Sequence, residues 1–364
     1  MESLLRDLVD ASSHTLDARG CDAAADVLAA AVSLRCRRVP AERHGAHLFF
    51  DGDRPATDGG VLLVGHHDTV FSRDEFAGYT ADGGVARGPG VLDMKGGLVV
   101  IAFALRALAT SGLVAGRAIT FASVSDEEVG SPESAPHLAA AAAGARAALV
   151  FEAGRDGDAI ITARKGTVAI TARATGRAAH AGLAHHLGAS AIRAMARFVE
   201  GAEALTDAPR GVTVNVGTIR GGTSKNTVPA QCEAGLDARF VDPADGPTLV
   251  ARLRAVAESS ALPGTALALD GGVARAPLAR TDASVALLRR YAAAQREAGL
   301  GEAEAPLQGG GSDASTTAAA GVPSIDGLGP RGSGFHTRDE RVELASLRPK
   351  CAALVRFLAG FEPL

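Results

Sequence analysis

The 364-residue chain has no tryptophan and two tyrosines, and aromatic residues make up only 4% of it. Platforms that stack single-stranded bases are built from such rings, and nucleic-acid surfaces are rich in excess Lys and Arg. With 37 Lys and Arg against 41 Asp and Glu, that excess is missing too, so neither nucleic acid nor an anionic membrane is expected as a main partner. Cysteine is scarce: Cys21, Cys36, Cys232 and Cys351 are scattered, without the CxxC spacing of a zinc ribbon, and a disulfide framework is not expected in a chain of this size. No uncharged apolar run approaches the ~20 residues of a membrane span. The alanine-rich stretch 138–150 is interrupted by Arg146. The opening MESLLRDLVDASS lacks the basic and apolar regions of an export signal, so a cytoplasmic location is expected.

What remains is a chain rich in small and apolar residues, 47% hydrophobic and 21% charged, longer than a single core usually grows. Helical spacing at 4–16 and 21–34 predicts two opening helices; 42–58 reads as irregular. The apolar run in VLLVGHHDTV (61–70) suits a strand buried on both faces, and it delivers His66, His67 and Asp68 at its carboxyl end. GPGVLDMKGG (88–97) is a glycine-rich turn carrying Asp93 ahead of a helix over 98–109. The run 118–124 ends in Ser125-Asp126-Glu127-Glu128, and 147–151 ends in Glu152. Ligands of parallel α/β sheets bind outside the carboxyl ends of the strands, so these groups point to one site. From Gly166 the pattern changes to strand–helix–strand–strand–helix–strand, the order of a ferredoxin-like unit. The expected fold is α/β, a mixed, mostly parallel sheet sandwiched by helices with an inserted ferredoxin-like α+β lid. The expected domains are 1–165 and 276–364 for the catalytic part and 166–275 for the lid.

His66, Asp93, Glu128, Glu152 and His336 are the candidate metal ligands. Two imidazoles and three carboxylates suit zinc or cobalt better than calcium or magnesium, which prefer oxygen-only shells. Asp93, alone on its tight turn, is placed to bridge two ions. Glu127, beside a ligand, is the candidate general base, and Asp68 the acceptor that fixes the His66 tautomer. Taken singly, an Asp-Glu-Glu run is more often a solvated turn, and a lone histidine more often structural. Lys95 and its glycine neighbours read as structural, and His67, His185 and His186 as exposed or at most neighbours of ligands. Gly310 and Gly311 suit a close main-chain approach to substrate.

The motifs GHHDTV, GPGVLDMKGG, SDEEVGS, FEAG, RAAHAG, GGTSKNTVPA, LDARF, GGGSDA and GFHT stand in the order seen in the M20 metallopeptidases, and the chain resembles their glutamate carboxypeptidase branch over nearly its whole length. The resemblance implies two Zn²⁺ per subunit, with Co²⁺ or Mn²⁺ as substitutes. His66, Asp93 and Glu152 would hold one ion, and Asp93, Glu128 and His336 the other. It also implies a cis peptide at Asp93–Met94, catalytic roles for Glu127 and Asp68, and His180 as the histidine that reaches the partner subunit's active site in a lid-mediated homodimer. Asn226, Arg239 and Arg275 match positions around the substrate carboxylate. Around Arg275 the sequence reads Arg-Ala-Pro rather than Arg-Pro, and the hinge Thr162-Ala163-Arg164-Lys165-Gly166 is more basic than in a dedicated glutamate carboxypeptidase.

The implied activity is hydrolysis of the amide before a C-terminal or N-acylated amino acid, on a small N-acyl amino acid or peptide. The alternative within the same chemistry is an aminoacylase or deacetylase acting on another N-acyl amino acid or a specialised-pathway amide. Two readings of other kinds compete: a serine hydrolase using Gly310-Gly311-Ser312-Asp313-Ala314, a near miss of the nucleophile elbow, and a non-catalytic binder that kept the fold.

Overall fold

The uninterrupted apolar run at 61–64 forms the centre of the molecule's main sheet. In the computed structural model, which describes residues 1–361, Val61–His66 is buried throughout and lies between Ile119–Val124 and Ala147–Val150, parallel to both. Ser324–Ile325 extends the parallel sheet beside Ala147–Val150. On the other side the sheet turns antiparallel, with His47–Asp51 against Ile119–Val124 and Arg35–Val39 outermost. The stretch 42–58 is therefore not irregular throughout. Leu48, Phe49 and Phe50 are fully buried, and Phe50 stacks on Phe121 at 5.3 Å between ring centres. The edge strand exposes Arg35, Arg37 and Arg38, charges that discourage a further strand from pairing there.

The helix Lys95–Thr110 is apolar nearly all round because it packs on both sides, against the sheet and against the closing helix Leu344–Ala359. Its start lies unusually close to the sheet. A Cβ added at Gly97 would stand 2.1 Å from the carbonyl oxygen of Phe151, so only glycine lets the helix approach there. The Asp93–Met94 peptide just before it is cis. A second, small sheet pairs Gly332–Ser333 with Arg341–Glu343, then Val85–Arg87, then Thr80–Asp82. It ties the loop carrying His336 to the chain that leads into Asp93.

The chain divides into two compact units. One comprises Met1–Ala163, Arg280–Gln308 and the chain from Ser312 on; the other comprises Arg164–Ala279 with Gly309–Gly311. The second unit is ferredoxin-like. Its antiparallel sheet runs in the order Thr213–Gly221, Gln231–Phe240, Gly166–Thr175, Ala266–Arg275, covered by the helices Ala191–Glu203 and Asp245–Ser260. The alternation along Gly166–Thr175 turns Val168, Ile170, Ala172 and Ala174 toward Met195, Phe198 and Leu253 in this unit's own core.

Candidate metal centre

Five donor side chains of the first unit converge outside the carboxyl ends of its parallel strands. His66 closes its strand; Nε2 lies 3.5 Å from Asp93 Oδ1 and 3.7 Å from Glu152 Oε2. Asp93 turns its other oxygen to His336, 3.3 Å from Nε2, and His336 Nε2 is 3.2 Å from Glu128 Oε2. Two triads result, His66–Asp93–Glu152 and Asp93–Glu128–His336, each with its donor atoms within 4.8 Å of one another and with Asp93 common to both. Oxygen and nitrogen ligands ~2.0–2.2 Å from a tetrahedral ion stand about 3.3–3.6 Å apart. The observed separations, 3.2–3.7 Å, bracket that spacing, and three of the four are longer than an ordinary N–H···O hydrogen bond.

The electrostatics point the same way. Burial pushes Glu152 well above the carboxylate range, with Asp93 and Glu127 adding to the rise against the pull of His66. Burial likewise pushes Glu128 up to about 7, and its Oε1 is buried with no hydrogen-bond partner among the described residues. His336 is raised to about 10 by Asp93 and Glu128. Burial opposes a charge on His66, but Glu152, Asp68 and Asp93 hold its pKa well above the usual value. Asp93, though buried, is held well below the carboxylate range by His336 and His66. Burial and the crowding of negative charge favour protons on these groups, and a divalent cation at each triad would take their place. The donor set fits two such ions.

The groups around the donors are held by buried carboxylates. Asp68 Oδ2 accepts from the Thr15 hydroxyl at 2.7 Å and from the Glu128 amide at 3.2 Å, while Oδ1 accepts from the Glu127 amide at 3.3 Å. Asp68 thus pins the turn that carries both glutamates. The His66 ring is oriented mainly by the Asp68 carbonyl oxygen, 3.0 Å from Nδ1, with the carboxylate at 3.3 Å. Glu127 sits partly exposed, close enough to Glu128 and Glu152 for its charge to raise both. Two further contributors were not visible in the sequence: Thr15, and Glu340, which accepts from the amides of Gly90, Leu92 and Asp93 at 2.9, 2.8 and 2.9 Å.

Among the other histidines, His185 and His186 are exposed. His67 is fully buried instead, because the strand's buried environment continues past its last ladder residue; its Nδ1 meets the Ser123 hydroxyl at 2.9 Å, and burial lowers its pKa to about 3. Lys95 is also fully buried, its Nζ 3.4 Å from the Ala11 carbonyl. Ser312 is 1% exposed, and its hydroxyl donates to the Asp326 carboxylate at 2.6 Å rather than to an imidazole that would activate it as a nucleophile.

The remaining candidates belong to the second unit. His180 is exposed on a short strand paired with Thr227–Val228, and its Nδ1 accepts from the amides of Gly182 and Leu183 at 3.2 Å each. The neutral ring therefore carries its proton on Nε2. Asn226 accepts from the Ser224 hydroxyl at 2.8 Å through Oδ1. Arg239 is forked by Asp237, both bonds 2.8 Å, and its Nη1 donates to the Gly309 carbonyl at 3.3 Å. Arg164 Nη1 donates to the Gly310 carbonyl at 3.1 Å, and Gly311 lies against the stem of Arg275, whose Cδ would stand 2.6 Å from an added Cβ and would have to shift.

Residues 62–360 match peptidase family M20/M25/M40. Carboxypeptidase G2 of Pseudomonas sp. (strain RS-16) is 29% identical over 293 residues, 79% of this chain and 70% of that protein. The succinyl-diaminopimelate desuccinylase of Methylobacterium sp. (strain 4-46) is 31% identical over 333 residues, 83% and 81% of the two chains. A tripeptidase from Staphylococcus aureus subsp. aureus mu50 shares the fold with a TM-score of 0.81 at 21% identity, covering 98% of this chain and 96% of its own. The chain belongs to peptidase family M20/M25/M40 and is a metal-dependent peptidase or amidohydrolase.

Proposed function

We propose that the protein is a two-zinc hydrolase that cleaves the amide bond before a C-terminal or N-acylated amino acid, with a glutamate carboxypeptidase-like preference. The observation that carries this reading is the pair of ligand triads sharing Asp93, with Glu127 beside them. Mixed imidazole and carboxylate donors favour zinc over the harder cations. When bound, the two ions supply a polarised scissile carbonyl and a water acidified toward neutral pKa. Glu127 takes the proton of the attacking water on its carboxylate and passes it to the leaving nitrogen. Asp68 holds Glu127 and Glu128 in register for this work through their amides. His180, protonated on Nε2, donates to the carbonyl oxygen as negative charge develops. Asn226, Arg239, Arg275 and the main chain at Gly310 and Gly311 hold the substrate carboxylate end, arginine suiting that task through its planar fork.

A homodimer through the second unit is part of this proposal. Thr213–Gly221 is an open edge strand, and Leu183, Leu187, Ile192 and Ile219 of the same unit are 83, 56, 40 and 53% exposed, apolar side chains that a second copy could cover. We place the protein in the cytoplasm: its four cysteines are free thiols, and among the described residues no helix is long and apolar enough to cross a membrane.

A second reading, removal of the acyl group from another N-acyl amino acid, is favoured by the 31% identity to a desuccinylase and by the basic hinge at 162–166. The test of both is amine release from a panel of N-acyl amino acids, N-succinyl amines and dipeptides, each with and without chelator. Chelator-sensitive turnover favouring C-terminal glutamate or aspartate supports the carboxypeptidase reading, and preference for other acyl amino acids moves the protein to the deacylase reading. Turnover that survives metal removal refutes both.

A further inference from the structure

We infer that Glu340 is a positioning residue for the bridging carboxylate of Asp93, and through it for both cation sites at once. The inference rests on the two-zinc reading. Glu340 is 1% exposed and spends both carboxylate oxygens on the turn that presents Asp93: Oε1 accepts from the amides of Leu92 and Asp93, and Oε2 from that of Gly90. No other side chain of this length offers two acceptors in that geometry. Glutamine would set an NH₂ group against one of the amide donors.

The turn leaves Asp93 little freedom of its own choosing. Gly90 has φ +72°, and a Cβ added there would meet Thr69 at 2.5 Å. The segment that supplies Glu340 is equally defined. The Thr337 amide and hydroxyl donate to the Gly334 carbonyl at 3.0 and 2.7 Å, the Glu340 amide donates to Thr337 at 3.1 Å, and paired strands flank the loop. That same loop carries His336, whose Nε2 faces Asp93 Oδ2 at 3.3 Å. One short loop therefore grips Asp93 twice, at its amide through Glu340 and at its carboxylate through His336. Because Asp93 is common to both triads, a change at Glu340 reaches both ions, whereas a change at Glu128 touches one triad.

The test is Zn²⁺ binding to chelator-stripped protein, by competition with a chromogenic chelator, for the wild-type chain, Glu340→Gln, Glu340→Asp and Glu128→Gln, together with the thermal midpoint of each metal-free protein. The wild type is expected to take up two ions. Glu340→Gln is expected to weaken both by about 10–100-fold, the range for partners that orient metal ligands, and Glu128→Gln to weaken one alone. Glu340→Asp, which keeps the charge with a shorter reach, is expected to fall between. Unchanged zinc affinity in Glu340→Gln, with only the metal-free midpoint lowered, overturns the positioning role and leaves the two-zinc reading standing. If Glu340→Gln does not fold, unchanged affinity in Glu340→Asp overturns it equally. Uptake of fewer than two ions by the wild type overturns the two-zinc reading and this inference with it.

Discussion

Glu128→Gln is expected to stabilise the metal-free protein at alkaline pH while crippling its metal site. The Glu128 side chain is 6% exposed, its Oε1 has no hydrogen-bond partner among the described residues, and burial, with Asp93 and Glu127 adding to it, raises its carboxyl from 4.5 to about 7 despite His336 at 3.2 Å. Between those values the unfolded chain has released the proton and the folded chain still holds it. The folded state therefore binds more protons, and its stability falls as pH rises through this window. A gap from 4.5 to about 7 corresponds to about 3 kcal/mol, an upper figure because neighbouring carboxylates share the same proton equilibria. Glutamine keeps the shape and an oxygen for His336 but carries no charge. In urea unfolding with chelator present, followed by far-UV circular dichroism, the variant is expected to exceed the wild type by about 2–3 kcal/mol above about pH 8. The difference is expected to vanish as pH falls to 4.5, the ordinary glutamate value. Saturating zinc is expected to reverse the order, since only the wild type gains the full binding energy of both ions. A variant no more stable than wild type under chelator at high pH, or a gain that does not change with pH, refutes the argument.

Other substitutions probe different links. Glu127→Ala is expected to keep two zinc ions by metal analysis and to lose about 10²–10⁴-fold in kcat; activity near wild type means the base is elsewhere. Gly97→Ala, whose new Cβ falls 2.1 Å from the Phe151 carbonyl, is expected to cost about 1–3 kcal/mol in urea unfolding, and an unchanged midpoint contradicts the close approach of helix and strand. His180→Ala is expected to stay dimeric in sedimentation and to lose about 10²-fold in kcat with little change in KM; a fully active monomeric wild type counts against the dimer.

The parallel core and the placement of His66, Glu128 and Glu152 at its mouth are legible in sequence for one physical reason, whereas Asp93 and His336 sit on loops and join them through the order of the motifs. A strand buried on both faces is an unbroken apolar run, and a polar residue that ends such a run stands at the mouth of the sheet. The strand His47–Asp51 escapes because five residues between loops carry no period to detect. Glu340 escapes for a different reason. In sequence it is one acid in Arg338-Asp339-Glu340-Arg341, which reads as a solvated loop, and its partners are amides about 250 residues earlier in the chain, of which Asp93 is 247 away. Backbone donors leave no trace in composition or spacing. Thr15 is hidden likewise, meeting Asp68 from a turn 53 residues before it. The burial of His67 is not legible either, because a polar side chain beside a ligand suggests an opening to solvent, whereas residues 61–69 are buried without a break.

The membership of Gly309–Gly311 in the second unit sets how this protein could be recombined with its relatives. Those three residues are joined to that unit through Arg164 and Arg239, which hold two of their carbonyls, and by the seat of Gly311 on Arg275. An exchange cut only at residues 164 and 279 would part these glycines from Arg164, Arg239 and Arg275 of this chain. The module to be moved is thus discontinuous, a long insert together with a distant tripeptide.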